Sequence, residues 1–515
     1  MRYRGILYIG AILALALLLT LLLSTMIKWD ESQAVIAAAW IAGFFFVVIN
    51  LCYVFVITIC SRFIGTRPLP EADIDHEPRT AILYIVKNEN IKDLQYKMEQ
   101  SLTGNCSANI DLWLISNSDQ AKFMDDERCM ISRLRDKFRT ESVHLYRPSN
   151  NPSGRKHIAI QQWNISHEDY PYIIVCDADT VLYPGTVVKL LAKAEHPDNR
   201  DIMVFQGEVE IGGSITRFAR FFEPANNLVG RAFRRVNAFI FGRSPYYGHN
   251  ALIRTKEFGK LRIPNHVLSH DLWETVAIDA AGQKVALCDD VLTQEMFPPN
   301  FLDHRARSRR WILGTIEATP LLLTRKLSLG TRFYLALPLY MYLVPPVFLF
   351  WILLGLFAHN SVSGQPLIVS QPLLIGGATG LDVEMGGMCI ATLTVAWFYQ
   401  LSFCRRLKDV LLILREILTG TAVVINNILY YTWYVLASPW LPKVWRPMKK
   451  QCLDEVSFRL CFIQMLPSTV VGLVLLSIGA FVSPMWTALA SPILAGFLLG
   501  SVTVYWTSKV VSTPR

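Results

Sequence analysis

The sequence predicts an α/β domain with a Rossmann-type, mostly parallel sheet, inserted in an α-helical transmembrane bundle. Three observations lead to this fold class. Of the 515 residues, 52% are hydrophobic and 18% are charged, whereas about 25% are charged in ordinary soluble domains. Apolar runs long enough to cross a bilayer occur near both ends of the chain. Between them, short β-branched runs alternate with amphipathic helical patterns.

Residues 1–66 are predicted to form a transmembrane hairpin. The apolar runs 6–27 and 35–64 each provide the roughly 20 residues that one helix needs to cross a bilayer. The first run is longer than a secretory signal core and lacks a small-residue cleavage site, so we expect an uncleaved anchor. Basic residues flank the hairpin on one side, namely Arg2, Arg4, Arg62 and Arg67. By the positive-inside rule, the N-terminus and the domain after the hairpin are expected in the cytoplasm.

Residues 67–327 are predicted to form a cytoplasmic catalytic domain. Strands are expected at 80–86, 110–116, 143–146, 172–176 and 202–209, with helical patterns between several of them. Such alternation indicates βαβ units, whose ligand crevice lies at the carboxyl ends of the strands.

Residues 328–515 are predicted to return to the membrane. Apolar runs cover 333–357, 388–403, 410–441, 462–482 and 487–510. Basic segments precede and follow the long run 410–441, and both are expected in the cytoplasm, so an even number of crossings must lie between them. We interpret this run as an amphipathic interfacial helix that begins near Asp409, followed by a re-entrant or hairpinned piece.

The charge balance indicates a lipid bilayer as a partner and no nucleic acid. Lys and Arg number 50 and Asp and Glu 41, which gives a formal net charge of +9. This modest excess, without a strongly basic stripe, is typical of loops at a cytoplasmic membrane face. The ten cysteines form no CxxC pair, so we expect neither a zinc site nor a disulfide framework.

Two carboxylates follow the predicted strand at 172–176. Asp177 and Asp179 are two residues apart, a spacing that aims both side chains at the same side of an extended segment. Oxygen ligands of this kind suit Mg²⁺ or Mn²⁺ carrying a substrate diphosphate. The pair therefore predicts a metal site, although two turn-capping aspartates would give the same pattern.

Five motifs follow one another along the catalytic domain. They are GRK at 154–156, DAD at 177–179, GHN at 248–250, HD at 270–271 and RSRRW at 307–311. In this order they resemble the membrane-integrated, processive glycosyltransferases of family 2, the cellulose-synthase-like group. The stretches LISNSD, GRKHIAI and LSHDLWE are similar to those of bacterial glucosyltransferases that make osmoregulated periplasmic glucan. The resemblance covers about residues 80–320 and implies a GT-A-like fold and a UDP-sugar donor.

The resemblance also implies donor-binding residues. Lys156 and Asp177 match residues that contact the nucleotide diphosphate, while Asn117 and Asp119 occupy the uracil and ribose region. Relatives place an Asp where this chain has Asn117, so either Asp119 takes over that contact or the contact with the base is weaker.

On the acceptor side, the resemblance implies a general base. Asp271 matches the carboxylate that takes the proton from the acceptor hydroxyl, although an ordinary helix N-cap would also explain an Asp here. His270 replaces a residue of the commoner Thr-Glu pair. The residues Gly248, His249 and Asn250 match the segment near the acceptor sugar, for which a turn before a strand is the alternative.

Arg307, Arg310 and Trp311 share one face of a predicted helix, because they are spaced three and four residues apart. Such a face can offer cations to a leaving diphosphate and an indole to a sugar ring. Interfacial anchoring at headgroup level is the alternative explanation. The match to the family favours the binding role.

Together these features predict an inverting, processive glycosyltransferase in the bacterial inner membrane. It would polymerise glucose from UDP-glucose onto a growing glucan acceptor and export the β-glucan. Periplasmic or accessory export partners are left open. The alternatives are transfer of a single sugar to a lipid phosphate and a non-catalytic export channel. The RxxRW motif argues against the first, and Asp271 together with that motif argues against the second.

Overall fold

The computed structural model describes residues 2–24, 34–105, 107–149, 151, 154–358, 401, 404, 406–443, 456–482 and 484–511. Residues 444–450, which belong to the basic segment after the run 410–441, lie outside this part of the chain, as do all but one residue of the predicted apolar run 388–403. The three predicted domain boundaries stay predictions.

Two long apolar helices, α1 (Arg2–Ser24) and α2 (Ala34–Phe63), form the N-terminal part of the molecule. Their facing side chains share one hydrophobic cluster, in which Ile12 and Ala16 of α1 and Trp40 and Val48 of α2 are buried. The remaining faces carry exposed leucine, isoleucine and phenylalanine side chains. An apolar exterior of this kind is suited to a lipid environment.

An eight-stranded mixed sheet lies at the centre of the predicted catalytic domain. Its strands are β1 (Thr80–Val86), β2 (Ile110–Ser116), β3 (Val143–Tyr146), β4 (Tyr172–Asp177), β5 (Val181–Leu182), β6 (Ile202–Ile211), β7 (Ala251–Arg254) and β8 (Lys284–Glu295). Their order is β3-β2-β1-β4-β7-β6-β8-β5. Strands β3, β2, β1 and β4 are parallel, as are β6 and β8, whereas β7 runs antiparallel to both neighbours. The predicted fold class is confirmed, with a sheet that is mixed.

The five predicted strands all form. The first three have the predicted bounds, and the other two continue one or two residues further. Strands β5, β7 and β8 were not predicted.

Helices cover both faces of the sheet and continue the domain. They are α3 (Ile91–Leu102), α4 (Ala121–Phe138), α5 (Lys156–Ser166), α6 (Thr186–Glu195), α7 (Arg217–Pro224), α8 (Arg231–Phe241), α9 (Thr255–Phe258), α10 (His270–Ala280) and α11 (Phe301–Ala318). Successive strand side chains point to opposite faces, so Ile82 and Tyr84 pack against α3, α4 and α6. Ala81 and Leu83 pack against α5, α9 and α10 on the other face. Because β1, β2 and β4 run parallel, their carboxyl ends meet at one edge of the sheet.

The C-terminal helices are α12 (Leu329–Ala358), α13 (Leu407–Val424), α14 (Asn426–Leu436), α15 (Phe458–Val482), α16 (Pro484–Leu498) and α17 (Gly500–Thr507). Within the described residues, four helices are long and apolar enough to cross a membrane: α1, α2, α12 and α15. A fifth span results if α16 and α17, which are bent by 64° at their junction, count as one. Neither α13 nor α14 meets this test, and the predicted interfacial helix near Asp409 stays a prediction.

The domain that contains the sheet is attached to these helices at several points. Asn237 of α8 donates to the Tyr53 hydroxyl of α2 at 3.0 Å and accepts from the Tyr8 hydroxyl of α1 at 3.4 Å. Near the C-terminus, Val511 N–H donates to the carbonyl of Ile215 at 2.8 Å. These contacts join the domain that contains the sheet to the apolar helices.

Candidate active site

A cavity of about 570 Å³ opens where the parallel strands end. Its walls come from the ends of β1, β4, β6 and β8, the loops before α5 and β7, the start of α10, and α11. Predicted site residues that line it are Asn117, Lys156, Asp177, Gly248, His249, Asp271, Arg307, Arg310 and Trp311. Asp119, Asp179 and Asn250 do not line it.

The inner part of the cavity holds a carboxylate and an ammonium group in contact. Asp177 is the last residue of β4, and Lys156 is the first residue of α5. Their side chains form an ion pair. Because α5 begins beside the end of β4, the Lys156 ammonium lies where it can also bind an anionic ligand in the cavity.

Three side chains around Asp177 could hold a metal ion. Asp177, His249 and Glu295 each offer one ligand atom, and these atoms all lie within 4.8 Å of one another. His249 Nδ1 lies 2.6 Å from Glu295 Oε1. Burial lowers the pKa of His249, but Glu295 and Asp177 outweigh that effect and raise it.

Asn250 holds Glu295 in place without lining the cavity. Its Nδ2 donates to Glu295 Oε1 at 2.8 Å, and its Oδ1 accepts from the Thr180 hydroxyl at 2.9 Å. Asn250 is buried and has a positive φ of 55°, a conformation that Asn tolerates better than most residues. The predicted acceptor contact of Asn250 stays a prediction, and the observed side-chain partners of Asn250 are Glu295 and Thr180.

Asp179 differs from Asp177 in its surroundings. Strand β4 ends at Asp177, so the alternation that was expected to aim both carboxylates at one side does not continue to Asp179. The side chain of Asp179 is buried, and its Oδ2 accepts from the Met296 backbone N–H at 3.1 Å. The prediction of Asp179 as a metal ligand is not tested by this geometry and stays a prediction.

Asp271 lies in the first turn of α10 and faces the cavity. The N-cap of this helix is Ser269, so capping does not explain the Asp at 271. The loop before β7 approaches this turn at Gly248, which has a φ of +81°. A Cβ at residue 248 would lie 3.3 Å from His270 Cε1 and 3.4 Å from Asp271 Cβ. The positive φ favours glycine, and a Cβ here would be in tight contact with the start of α10.

Helix α11 supplies two guanidinium groups and an indole. The Arg307 guanidinium lies 4.5 Å from the Trp311 ring centre and 4.8 Å from that of Phe297. Burial lowers the pKa of Arg307 to about 10. Burial also lowers the pKa of Arg310, against the opposing effect of Asp177 and Asp271. Both arginines are partly buried and line the cavity, a setting that favours the binding role over anchoring at headgroup level.

The predicted nucleotide region lies at the ends of β1 and β2. Asn117 Oδ1 accepts from Asn151 Nδ2 at 2.9 Å. Asp119 is exposed, accepts from Asn88 Nδ2 at 2.7 Å and lies 3.5 Å from Lys87 Nζ. The hydrogen bond from Asn88 and the charge of Lys87 lower the pKa of Asp119.

Sequence reasoning missed several cavity residues, of which Glu295 and Lys87 bear most on the chemistry. Each stands at the carboxyl end of a strand, at the last residue of β8 or directly after β1. That position was a usable signal for Lys87, because β1 was predicted. The same signal was not usable for Glu295, because β8 was not predicted.

Comparison with known proteins identifies the class. The family described as glycosyl transferase family group 2 matches residues 172–499, more than half of the chain. The chain therefore belongs to this family, and it is a glycosyltransferase and an enzyme.

The curated relatives are involved in glucan biosynthesis. The chain is 29% identical over 335 residues to the glucans biosynthesis glucosyltransferase H of Caulobacter vibrioides, covering 58% of this chain and 49% of that protein. It is 28% identical over 308 residues to the protein of the same name from Bradyrhizobium diazoefficiens, covering 56% and 40%. For the Vibrio cholerae protein the identity is 26% over 338 residues, covering 60% and 46%. The chain thus spans about half the length of the curated relatives it matches.

Among solved structures, the chain is similar to a mannosyltransferase, PcManGT from Pyrobaculum calidifontis, in complex with GDP-Man and Mn²⁺. The TM-score is 0.49 and the identity 12%, over 79% of this chain and 99% of the mannosyltransferase.

Proposed function

We propose that the protein is an inverting, processive glycosyltransferase of the bacterial inner membrane. It transfers glucose from UDP-glucose to the end of a growing glucan and exports the β-glucan, with its catalytic domain in the cytoplasm. The observation that carries this proposal is a single cavity whose lining brings together Asp271, an acidic group at a helix start, with cationic groups that include Lys156, Arg307 and Arg310.

The cationic side chains suit the leaving group. A nucleoside diphosphate leaves with negative charge, and preorganised cations in a site shielded from water stabilise that charge as it develops. Arg310 is close enough to Asp177 and Asp271 that both carboxylates shift its pKa. All three side chains line one cavity, so Arg310 can serve both the diphosphate and the acceptor.

Asp271 suits the acceptor. The acceptor hydroxyl attacks the anomeric carbon, the bond from that carbon to the diphosphate oxygen breaks, and the hydroxyl proton passes to a carboxylate oxygen of Asp271. The attack comes from the face opposite the leaving diphosphate, which inverts the configuration of the anomeric carbon. Trp311 is 42% exposed at the cavity wall and offers its ring face to an acceptor sugar.

The donor set around Asp177 fits a divalent cation. Two carboxylate oxygens and one imidazole nitrogen within 4.8 Å of one another suit Mg²⁺ or Mn²⁺, and the imidazole favours Mn²⁺. Asp177, His249 and Glu295 would hold it, with Asp179 as the further ligand predicted from sequence. When bound, the cation supplies positive charge to the diphosphate.

The position of α11 supports export. This helix carries Arg307, Arg310 and Trp311 into the cavity while its other side contacts the apolar bundle. The Tyr431 hydroxyl of α14 donates to Ser308 at 2.9 Å, and Arg305 hydrogen-bonds the side chain of Gln464 in α15. A glucan leaving the site past Trp311 would meet these helices first.

The proposal is tested by incubating detergent-purified protein with a panel of labelled UDP-sugars, with Mg²⁺, Mn²⁺ or EDTA. We expect a metal-dependent polymer from UDP-glucose. Asp271→Asn should lower transfer by about 10²–10⁴-fold, the range for loss of a general base, while UDP binding is retained. The matched control is Asp198→Asn, because Asp198 is 81% exposed and does not line the cavity.

Product length separates the alternatives. A ladder of oligosaccharides supports processive synthesis, whereas addition of a single sugar would indicate transfer to a lipid acceptor. If no UDP-sugar turned over, the proposed function would be wrong. If Asp271→Asn kept the wild-type rate, the assignment of Asp271 as the base would be wrong.

A further inference from the structure

A second polar group stands beside Asp271 at the start of α10. His270 lines the cavity, and its Nδ1 lies 2.8 Å from Oε2 of Glu274, one helical turn further along. Glu274 is 2% exposed. A carboxylate is costly to bury unless a charged or hydrogen-bonding partner compensates it, and His270 is that partner.

The imidazole is held from two further sides. It stacks on the ring of His157 in α5, with ring centres 5.5 Å apart and planes at 29°. The backbone of Gly248 packs on its edge, since a Cβ there would lie 3.3 Å from His270 Cε1 and 3.7 Å from Nε2. Three elements therefore orient one ring whose Nδ1 is engaged by Glu274, which leaves Nε2 as the nitrogen that can face a ligand.

We propose that His270 binds the acceptor sugar through Nε2, with Glu274 as its positioning residue. Nε2 hydrogen-bonds a ring hydroxyl next to the hydroxyl that Asp271 deprotonates, which sets the register of the acceptor. This inference deepens the proposed function and rests on it.

The surroundings of the ring agree with a donating Nε2. Burial lowers the pKa of His270, but Glu274 and Asp271 outweigh this effect and raise it, while Lys156 opposes them. The stacked partner differs, because burial lowers the pKa of His157 to about 3. His157 therefore stays neutral beside His270 and adds no charge to the stack near neutral pH.

The test compares two reactions of the sugar donor: transfer of its sugar to a glucan acceptor and hydrolysis by water. Hydrolysis needs the donor site but no acceptor register. We expect His270→Asn to reduce the ratio of transfer to hydrolysis about tenfold and to raise the KM for an oligosaccharide acceptor, as expected when one hydrogen bond to substrate is lost. His270→Gln keeps an amide near the position of Nε2 and should recover most of that loss.

Two further variants complete the design. Glu274→Gln removes the charge that orients the ring and should reduce the same ratio by a smaller factor. His266→Asn is the matched control, because His266 is exposed, lies four residues before His270 and does not line the cavity. Circular dichroism and UDP binding show whether each variant is folded.

The outcomes separate this inference from the proposed function. If the wild-type protein turns over no UDP-sugar, the proposed function fails and the inference fails with it. If the wild-type protein transfers sugar but His270→Asn leaves the ratio unchanged, or lowers transfer and hydrolysis equally, only the role of His270 is wrong.

Discussion

On the proposed donor side of the cavity, polar groups stand where strands of the parallel half-sheet end, whereas on the proposed acceptor side they stand on helices and a loop. The donor side comprises Lys87, Asn117 and Asp177 with Lys156. The acceptor side comprises Gly248, His270, Asp271 and Trp311. Strand ends converge as a consequence of parallel pairing. Parallel pairing does not place the acceptor-side residues. Their positions depend on individual contacts between segments that are distant in sequence.

The largest effect expected for this comparison concerns two aspartates, Asp177 at the end of β4 and Asp179 just after it. Asp177→Asn should weaken binding of Mn²⁺ with UDP by about a hundredfold, because it removes a ligand from the group with His249 and Glu295. Asp179→Asn should cost less than about tenfold, because the buried amide still accepts from Met296 N–H. Isothermal titration of Mn²⁺ in the presence of UDP measures both.

The reverse order of effects would show that Asp179 is the stronger ligand. In that case, the strand alternation expected from the sequence describes the bound state better than the turn after β4 does.

A smaller effect is expected when the acceptor side is disturbed at its closest approach. Gly248→Ala places a Cβ 3.3 Å from His270 and 3.4 Å from Asp271, at a φ of +81°. It should lower transfer about tenfold, and the positive φ adds about 1–2 kcal/mol of strain. Gly282→Ala separates the two causes, because Gly282 has a φ of +78° and nothing within 4 Å of its Cβ position. Equal losses of activity in the two variants would mean that strain alone is responsible.

The same contrast explains which parts of the molecule could be predicted from the sequence. Strands β1 to β3 had correct bounds because each is a short, mostly apolar run between polar segments. Strand β8 was missed because Asp289 and Asp290 interrupt its apolar pattern. Their compensating cations are distant in sequence: Arg235 lies 2.7 Å from Asp289, and Lys193 lies 2.8 Å from Asp290.

Missing β8 also meant missing Glu295. Single residues of the site were found through motifs, yet the group of Asp177, His249 and Glu295 joins three strand ends or loops that are 46 to 118 residues apart along the chain. The motif at 248–250 was expected to contact the acceptor. That contact stays a prediction, and the structure adds that His249 lies beside Asp177 and that Asn250 donates to Glu295, because β7 pairs with β4.

The smallest expected effect concerns the exposed end of the donor side. The pKa of Asp119 is lowered by the hydrogen bond from Asn88 and by Lys87, so Asp119 contributes stability above its unfolded pKa. That contribution is lost as the pH falls through the lower, folded pKa. Because the side chain is 60% exposed, Asp119→Asn should shift the thermal midpoint only slightly at pH 7, and the midpoints of the two proteins should converge in acid.

The same variant should weaken UDP binding by about threefold at most, as for a solvent-screened contact. A loss of a hundredfold would instead show that Asp119, rather than Asn117, recognises the nucleotide. The donor side would then depend on an individual contact in the same way as the acceptor side.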